Sequence, residues 1–410
     1  MTPATDVVVV GGGIVGAAIG YQLARRSVQV VVLDKGAGPA EGSTGASSSI
    51  SRCRYTDPRV VRLALDGQRA YRNWSEFTGL PDPASTYIRT GVVWMFDESR
   101  SEVQAEAERL GRAGVAVSVV DAEGLRDRHP SLSACVAPFD LSGEVAHECR
   151  DAEAALVEDD GGYADPAGAC ADLLDGTRRA GGVVRFRARV TGLIRTNGGV
   201  TGVEVDGERI PAGLVVNASG PWCNALNAMA GVGHRWTLDP TRIQVVYRDL
   251  PGDLGPIPVL ADGSTGIYLR PDAGGTRILF GSVLPEDEEE VVADPDDFPR
   301  HADAAFRDRK IHALHHRIPA LEHRGGLSGI AGLYTINRQD VHPIVGPSGV
   351  DGFWLANGFS GHGFKLAPMI GSMVARAVSG VDADFDTEVP MSVLAVDRQP
   401  ISVATRNVLA

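Results

Sequence analysis

Val7-Val8-Val9-Val10 runs into Gly11-Gly12-Gly13-Ile14-Val15-Gly16, and the chain returns through Val30-Val31-Val32-Leu33 to Asp34. This reads as a strand, a glycine-rich turn, a helix from about Ile14 to Arg26, and a second strand closed by an acid. Each glycine answers a different steric demand. Gly11 permits the tight turn, Gly13 lets backbone approach a pyrophosphate, and Gly16 lets the helix press on the strand. The phosphates would sit at the helix N-terminus, against unpaired N–H groups and the positive end of the dipole, beside Ile14 and Val15. Asp34, followed by Lys35, stands about 20 residues on, where an acid accepts hydrogen bonds from a ribose diol. Read alone, the segment is a dinucleotide cradle that takes NAD or FAD.

A chain of 410 residues exceeds one simple core, so two domains or an interleaved pair are expected. The net charge of −13 argues against a nucleic-acid partner, which needs a basic face. Cys53, Cys135, Cys149, Cys170 and Cys223 form no CxxC pair and no zinc spacing. They read as reduced thiols of a cytoplasmic protein. No basic and apolar leader opens the sequence, and no apolar run reaches about 18 residues, so no membrane association is expected.

Further along, Gly36 to Ser51 is rich in Gly, Ser and Ala, a composition that lets backbone hug a ligand. Val60, Ala64, Gly67, Tyr71 and Trp74 recur at helical spacing and read as a core face. Gly91 to Phe96 reads as a buried strand, Ser101 to Ala113 as an amphipathic helix, and Val183 to Val205 as a meander of strands. The acid run Glu286 to Glu290, with Asp294, Asp296 and Asp297, reads as a solvated loop without function. His312 and His316 are four apart, but no third ligand is evident, and no metal is expected. Near the far end, Gly352 to Asn357 reads as a strand running into Gly358-Phe359-Ser360-Gly361-His362-Gly363-Phe364-Lys365 and a helix in which Pro368 is tolerated near the first turn. This second strand–glycine–helix junction is one that a single NAD cradle does not need.

Three blocks together, Val7 to Asp34, Val190 to Trp222, and Gly332-Leu333-Tyr334-Thr335 through Pro368, resemble the FAD-dependent D-amino-acid oxidase superfamily. The sarcosine oxidase, glycine oxidase and dimethylglycine dehydrogenase branch is the most similar. The resemblance implies an α/β fold with a Rossmann-like FAD-binding domain (1–85, 145–220 and 325–385). This is interleaved with an α+β, mixed-sheet substrate domain (86–144 and 221–324), and 386–410 forms a C-terminal tail. It also implies FAD, held by Ser43, Thr44 and Gly45 near the pyrophosphate and by Val190 at the adenine. Ala218, Gly220 and Trp222 would line it, and Gly332, Gly358, Gly361, His362, Gly363, Phe364 and Lys365 would lie at the ring.

The activity implied is oxidation of the C–N bond of an amino acid or secondary amine to an imine, by hydride transfer to flavin N5. The partners are then a small amine substrate and O2 or another electron acceptor. A flavin-binding subunit without amine oxidation and an NAD-dependent dehydrogenase are the alternatives. Arg52 and Lys365 match positions the branch uses for the substrate carboxylate, and His342 reads as a proton shuttle or as a structural histidine before Pro343. Cys53, Arg54, Tyr55, Tyr247, Arg248, Tyr268, Arg270, Asn337, Arg338 and His342 are candidates for setting specificity. The departures count as well. Gly332 stands where sarcosine oxidases attach flavin through cysteine, and no histidine follows the Gly-Ser-Thr segment, so FAD without a covalent bond is expected. Leu279, Val283 and Ser49 stand where sarcosine oxidase has a lysine that activates oxygen, a histidine and an arginine.

Overall fold

The computed structural model describes residues 5–140, 142, 144–250, 252, 254–404, 406–407 and 409. Residues 1–4, on which the reading of the chain's start bears, lie outside the described residues. The isolated residues missing from the substrate-domain ranges and from the tail lie outside them too.

The apolar runs near the N-terminus build a parallel sheet. Val183–Arg185, Val30–Leu33, Thr5–Val10, Glu208–Asn217 and Phe353–Asn357 lie side by side in that order, all parallel. Val7 to Val9 are 0–1 % exposed, as unbroken valine runs in a parallel sheet require. Ile344–Pro347 adds an antiparallel edge. Val190–Thr196 and Gly199–Val205 extend the first half of Glu208–Asn217 as an antiparallel meander.

Three helices pack together on this sheet: Ile14–Ala24, Pro166–Arg179 and Gly363–Ser379. The first is buried on nearly every side. Gly371 lets the third helix approach it, since a Cβ there would lie 2.5 Å from the carbonyl oxygen of Ala18. Pro368 is the sixth residue of its helix, deeper than expected. The carbonyl of Phe364 that a proline cannot serve accepts instead from the Tyr71 hydroxyl at 2.7 Å. Pro58–Arg72 is the helix expected from the Val60–Trp74 spacing, which continues into Trp74–Thr78, and all five spaced residues are buried.

A second, mixed sheet runs in the order Leu327–Asn337, Leu238–Asp249, Arg277–Ser282, Ile267–Asp272, Val259–Asp262, Val92–Met95, Ala155–Glu158, Val117–Val120. Only the pairing of Val259–Asp262 with Val92–Met95 is parallel among the described residues. Helix Ala304–Arg317 packs on it through Phe306, Ala313 and Leu314. The exchange of segments is deeper than the sequence ranges imply. Ala155–Glu158 and Leu327–Asn337 fall inside 145–220 and 325–385 yet join the second sheet. Residues Cys223, Leu226 and Ala230, just past the 220 boundary, pack with the first sheet. The tail is core as well: Val389, Val393 and Leu394 are buried, and Asp386 pairs with Arg26 at 2.5 Å.

Candidate functional site

A cleft of about 530 Å³ opens beyond the C-terminal ends of the parallel strands, where Val10 and Leu33 end theirs and Ala218 and Gly358 follow theirs. That is the end at which open parallel sheets bind ligands, and the volume is in the range of cofactor sites. Gly11 sits at φ +104°, and a Cβ on it would strike the Ala218 carbonyl. Gly16 presses so closely on the turn that a Cβ would strike the Gly11 carbonyl oxygen. Gly13 differs: it lines the cleft, and a Cβ there would meet only Thr44 Oγ1, at 3.2 Å. Gly11 and Gly16 thus meet the steric demands read from the sequence, and Gly13 leaves its side of the cleft open.

Ile14–Ala24 begins with Gly13 at its N-cap, with no side-chain cap bond and no acid in its first turn. Gly363–Ser379 begins the same way behind His362. Two uncapped helix N-termini therefore meet one cleft, each offering unpaired N–H groups and positive dipole to an anion. Ile14, Val15, Ser43 and Thr44 line the first end. Thr44 Oγ1 accepts from Ile14 N at 3.0 Å. Ser43 Oγ is buried without a hydrogen-bond partner among the described residues, an orphan a phosphate would satisfy.

Asp34 lines the cleft, but its carboxylate is already engaged: it accepts from Gly12 N at 2.6 Å and Gly36 N at 2.7 Å. It thereby holds the glycine turn as well as facing the cleft. Val190, Ala218, Gly220 and Trp222 line the same end. Lys35 Nζ lies 3.5 Å from the Trp222 ring centroid. Asp296 was not expected here. It pairs with Lys35, lies 3.3 Å from Arg189 Nη2 and accepts from Trp222 Nε1 at 3.0 Å. A residue read as part of a solvated loop thus closes this end. Acid-rich composition carries no signal for such a long-range contact.

At the other end Gly358, Gly361, Gly363 and Phe364 line the cleft with Tyr334. Gly358, Ser360 and Gly361 all have positive φ, +72°, +47° and +83°. Ser360 is held there by Ser360 N donating to Thr335 O at 2.9 Å, while its Oγ accepts from Asn337 N at 2.9 Å. Strain of this kind persists where the surroundings fix it, and clusters at ligand sites. Gly16 and Lys365 do not line the cleft, and Gly45, Gly332 and His362 stand back from it as well. Gly45 packs against the Ala40 carbonyl, and Gly332 packs on Ala46, whose Cβ would be 2.5 Å from an added one. His362 is wholly buried, its Nδ1 3.0 Å from the Tyr55 hydroxyl. Burial, then Lys365, holds His362 well below the usual histidine range, so it is neutral.

A side pocket opens off the ring end, sharing Ser47, Tyr334, Gly361 and Phe364 with the cleft. Arg52 and Lys365 are the two charged side chains in its lining, each 4 % exposed, and no carboxylate lines it among the described residues. Ser47, Ser48 and Ser49 form one polar edge, and Ile50, Val92, Leu260, Tyr268 and, from the tail, Leu409 supply apolar walls. Arg52 lies over Tyr55 at 4.4 Å and donates to the Arg54 carbonyl. Lys365 Nζ is 3.3 Å from the Gly361 carbonyl. Burial, then Arg52, pushes Lys365 well below the usual lysine range. Glu158 lies behind them, 1 % exposed, accepting from Cys53 N, Arg54 N and Trp94 Nε1. Burial pushes its carboxyl above the ordinary range.

His342 takes no place in either cavity. It donates from Nδ1 to the Asp340 carbonyl at 2.7 Å, 1 % exposed, with its ring near Tyr55 and His362. Burial lowers it, and it acts as a packed neutral histidine. Of the specificity candidates Tyr268 lines the pocket. Arg248 is spent on the carbonyls of Glu322 and Arg324, Arg338 on Asp239, and Arg270 on the Ser48 carbonyl and Asp272. Asn337 bonds Asp340 and the His342 carbonyl.

The family model described as DAO, FAD dependent oxidoreductase, matches residues 6–377. The FAD-dependent oxidoreductase domain-containing protein 1 of Bos taurus is 27% identical, over 93% of this chain and 82% of its own length. The glycine oxidase of Geobacillus kaustophilus is 27% identical, over 94% of this chain and 96% of its own. Among solved structures, the L-proline dehydrogenase from P. horikoshii superposes with a TM-score of 0.80 at 25% identity, covering 96% of this chain and 97% of that one. Among the described residues no helix is long and apolar enough to cross a membrane.

Proposed function

The chain belongs to the DAO family of FAD-dependent oxidoreductases, and from that premise we propose that it oxidises the C–N bond of an amine bearing a carboxylate: an amino acid or an N-substituted amino acid. One observation carries this reading. The pocket beside the ring end of the cofactor cleft holds two buried cations, Arg52 and Lys365, and no lining acid. Glu158, behind the pocket, acts on both side chains, and a substrate carboxylate entering from the open side would lie against the same two cations and be fixed in position by them.

The residues present suit FAD. Ser43 Oγ, the open face of Gly13 and the two uncapped helix ends would hold its phosphates and ring carbonyls. Bound FAD supplies a two-electron acceptor, so an amine held in the side pocket would leave as an imine open to hydrolysis. Everything else falls to the chain. Arg52 and Lys365 anchor the carboxylate and so orient the rest of the molecule. Tyr334, lining both cavities, stays a protonated phenol because burial raises it. The walls at Ile50, Leu260 and Leu409 exclude water and favour an apolar substituent.

No cysteine or histidine lines the cleft among the described residues, which supports FAD held without a covalent bond. Acid precipitation is then expected to leave the flavin in the supernatant, and colour kept in the pellet would contradict it. The functional reading is tested by turnover with an artificial electron acceptor. Amino acids and N-alkyl amino acids are expected to be oxidised, and the matching amines lacking the carboxylate to be at least tenfold slower, the loss of one charged contact. Equal rates for both series would remove the carboxylate from the account.

A further inference from the structure

On the helix side of the second sheet lies a cluster that the redox site does not use. Cys135 pairs in antiparallel fashion with Asp151, flanked by Val136 N to Arg150 O and Ala152 N to Ala134 O, both 2.9 Å. The loop between these segments returns His147, whose Nε2 lies 3.3 Å from Cys135 Sγ. From helix Ala304–Arg317, His316 meets them: its ring centroid is 4.5 Å from that of His147. The ligating atoms of Cys135, His147 and His316 all lie within 4.8 Å of one another. The His316 pair with His312 thus gains, from far away in sequence, the partners that spacing alone did not reveal.

The chemistry of the cluster calls for an occupant. His316 Nε2 is buried with no hydrogen-bond partner among the described residues, which is costly unless something takes its lone pair. A neutral imidazole nitrogen offers the lone pair a metal ion needs. Phe139 stacks on His316 with centroids 4.1 Å apart, fixing the ring. Cys149, exposed and two residues before Asp151, has its thiol in hydrogen-bond reach of the Cys135 thiol. A tetrahedral ion with Zn–S about 2.3 Å and Zn–N about 2.0 Å spaces its ligand atoms ~3.3–3.8 Å apart. Cys135 and His147 already stand at that spacing.

We propose that Cys135, His147 and His316, with Cys149 as fourth ligand, form a structural Zn2+ site that fastens the 135–151 segment to helix Ala304–Arg317. Two thiols and two imidazoles are the donor set that suits Zn2+, and four protein ligands leave no position for a reacting water. Binding releases the two thiol protons to solvent and changes no oxidation state.

The test uses the flavin-loaded protein, purified without a metal column, dialysed against ZnCl2, desalted and assayed by inductively coupled plasma mass spectrometry. One zinc per chain is expected, with sulfur and nitrogen neighbours at the zinc X-ray absorption edge. Cys135→Ser and His316→Gln are expected to retain ~10-fold less zinc or lower still, while His301→Gln, remote from the cluster, retains it all. Flavin content reports whether each variant has folded. If the variants fail to fold, the wild-type spectrum decides. A wild-type protein without retained zinc, folded variants that bind as much as wild type, or a spectrum without sulfur would each overturn the site.

Discussion

Lys365→Met is expected to keep its FAD and to lose about 10- to 150-fold in kcat/KM for a carboxylate-bearing substrate, because losing one charged hydrogen-bond partner costs about 1.5–3 kcal/mol. The substitution leaves the fold in place, since methionine fills the same buried volume without a charge. The loss should be confined to substrates with a carboxylate. The pH dependence sharpens it. Burial and Arg52 hold the Lys365 amine well below the usual lysine range. Its hold on a carboxylate needs the protonated form. Affinity is therefore full below that lowered pKa and is lost as pH rises through it. In Lys365→Met this step should vanish from the pH profile of kcat/KM. An unchanged kcat/KM, or an unchanged pH step, would take Lys365 out of the pocket's chemistry.

Gly13→Val is expected to give a folded protein that binds FAD about 5- to 150-fold more weakly, from about 1–3 kcal/mol of overpacking. The geometry separates this glycine from its neighbours. Gly13 has an ordinary backbone, φ −68°, and a Cβ there meets only Thr44 Oγ1 before the branched side chain enters the cleft. Gly11 and Gly16 are different, since any Cβ strikes backbone oxygen, and their substitution should cost the fold itself. Circular dichroism and flavin titration of Gly13→Val read the two effects apart. Native flavin affinity in that variant would place the phosphates away from Gly13.

The parts of the fold legible in the sequence are those written locally. Gly11 to Asp34 and Gly358 to Lys365 are each a strand, a turn and a helix start within one short stretch, and both junctions face the cleft they imply. Arg52 and Lys365 were legible only through family resemblance, because nothing local says that a cation will be buried beside another. His342 reads two ways in the sequence, as a proton carrier or as a structural histidine before Pro343, because the Tyr55 and His362 rings that pack beside it come from distant segments; only the Asp340 carbonyl it bonds is local. Asp296 and Leu409 were invisible for the same reason. One closes the adenine end against Lys35 and the other walls the side pocket, and both depend on long-range contacts that composition does not encode. The domain boundaries were blurred because Ala155–Glu158 and Leu327–Asn337 belong to one unit by sequence neighbourhood and to the other by hydrogen bonding.

The most direct test mixes the yellow protein anaerobically with an N-alkyl amino acid and, separately, with the same amine lacking its carboxylate. The account predicts rapid bleaching of the flavin absorbance by the first and slow or no bleaching by the second. Flavin that no amino acid in a broad panel bleaches, or that both compounds bleach at one rate, would contradict it.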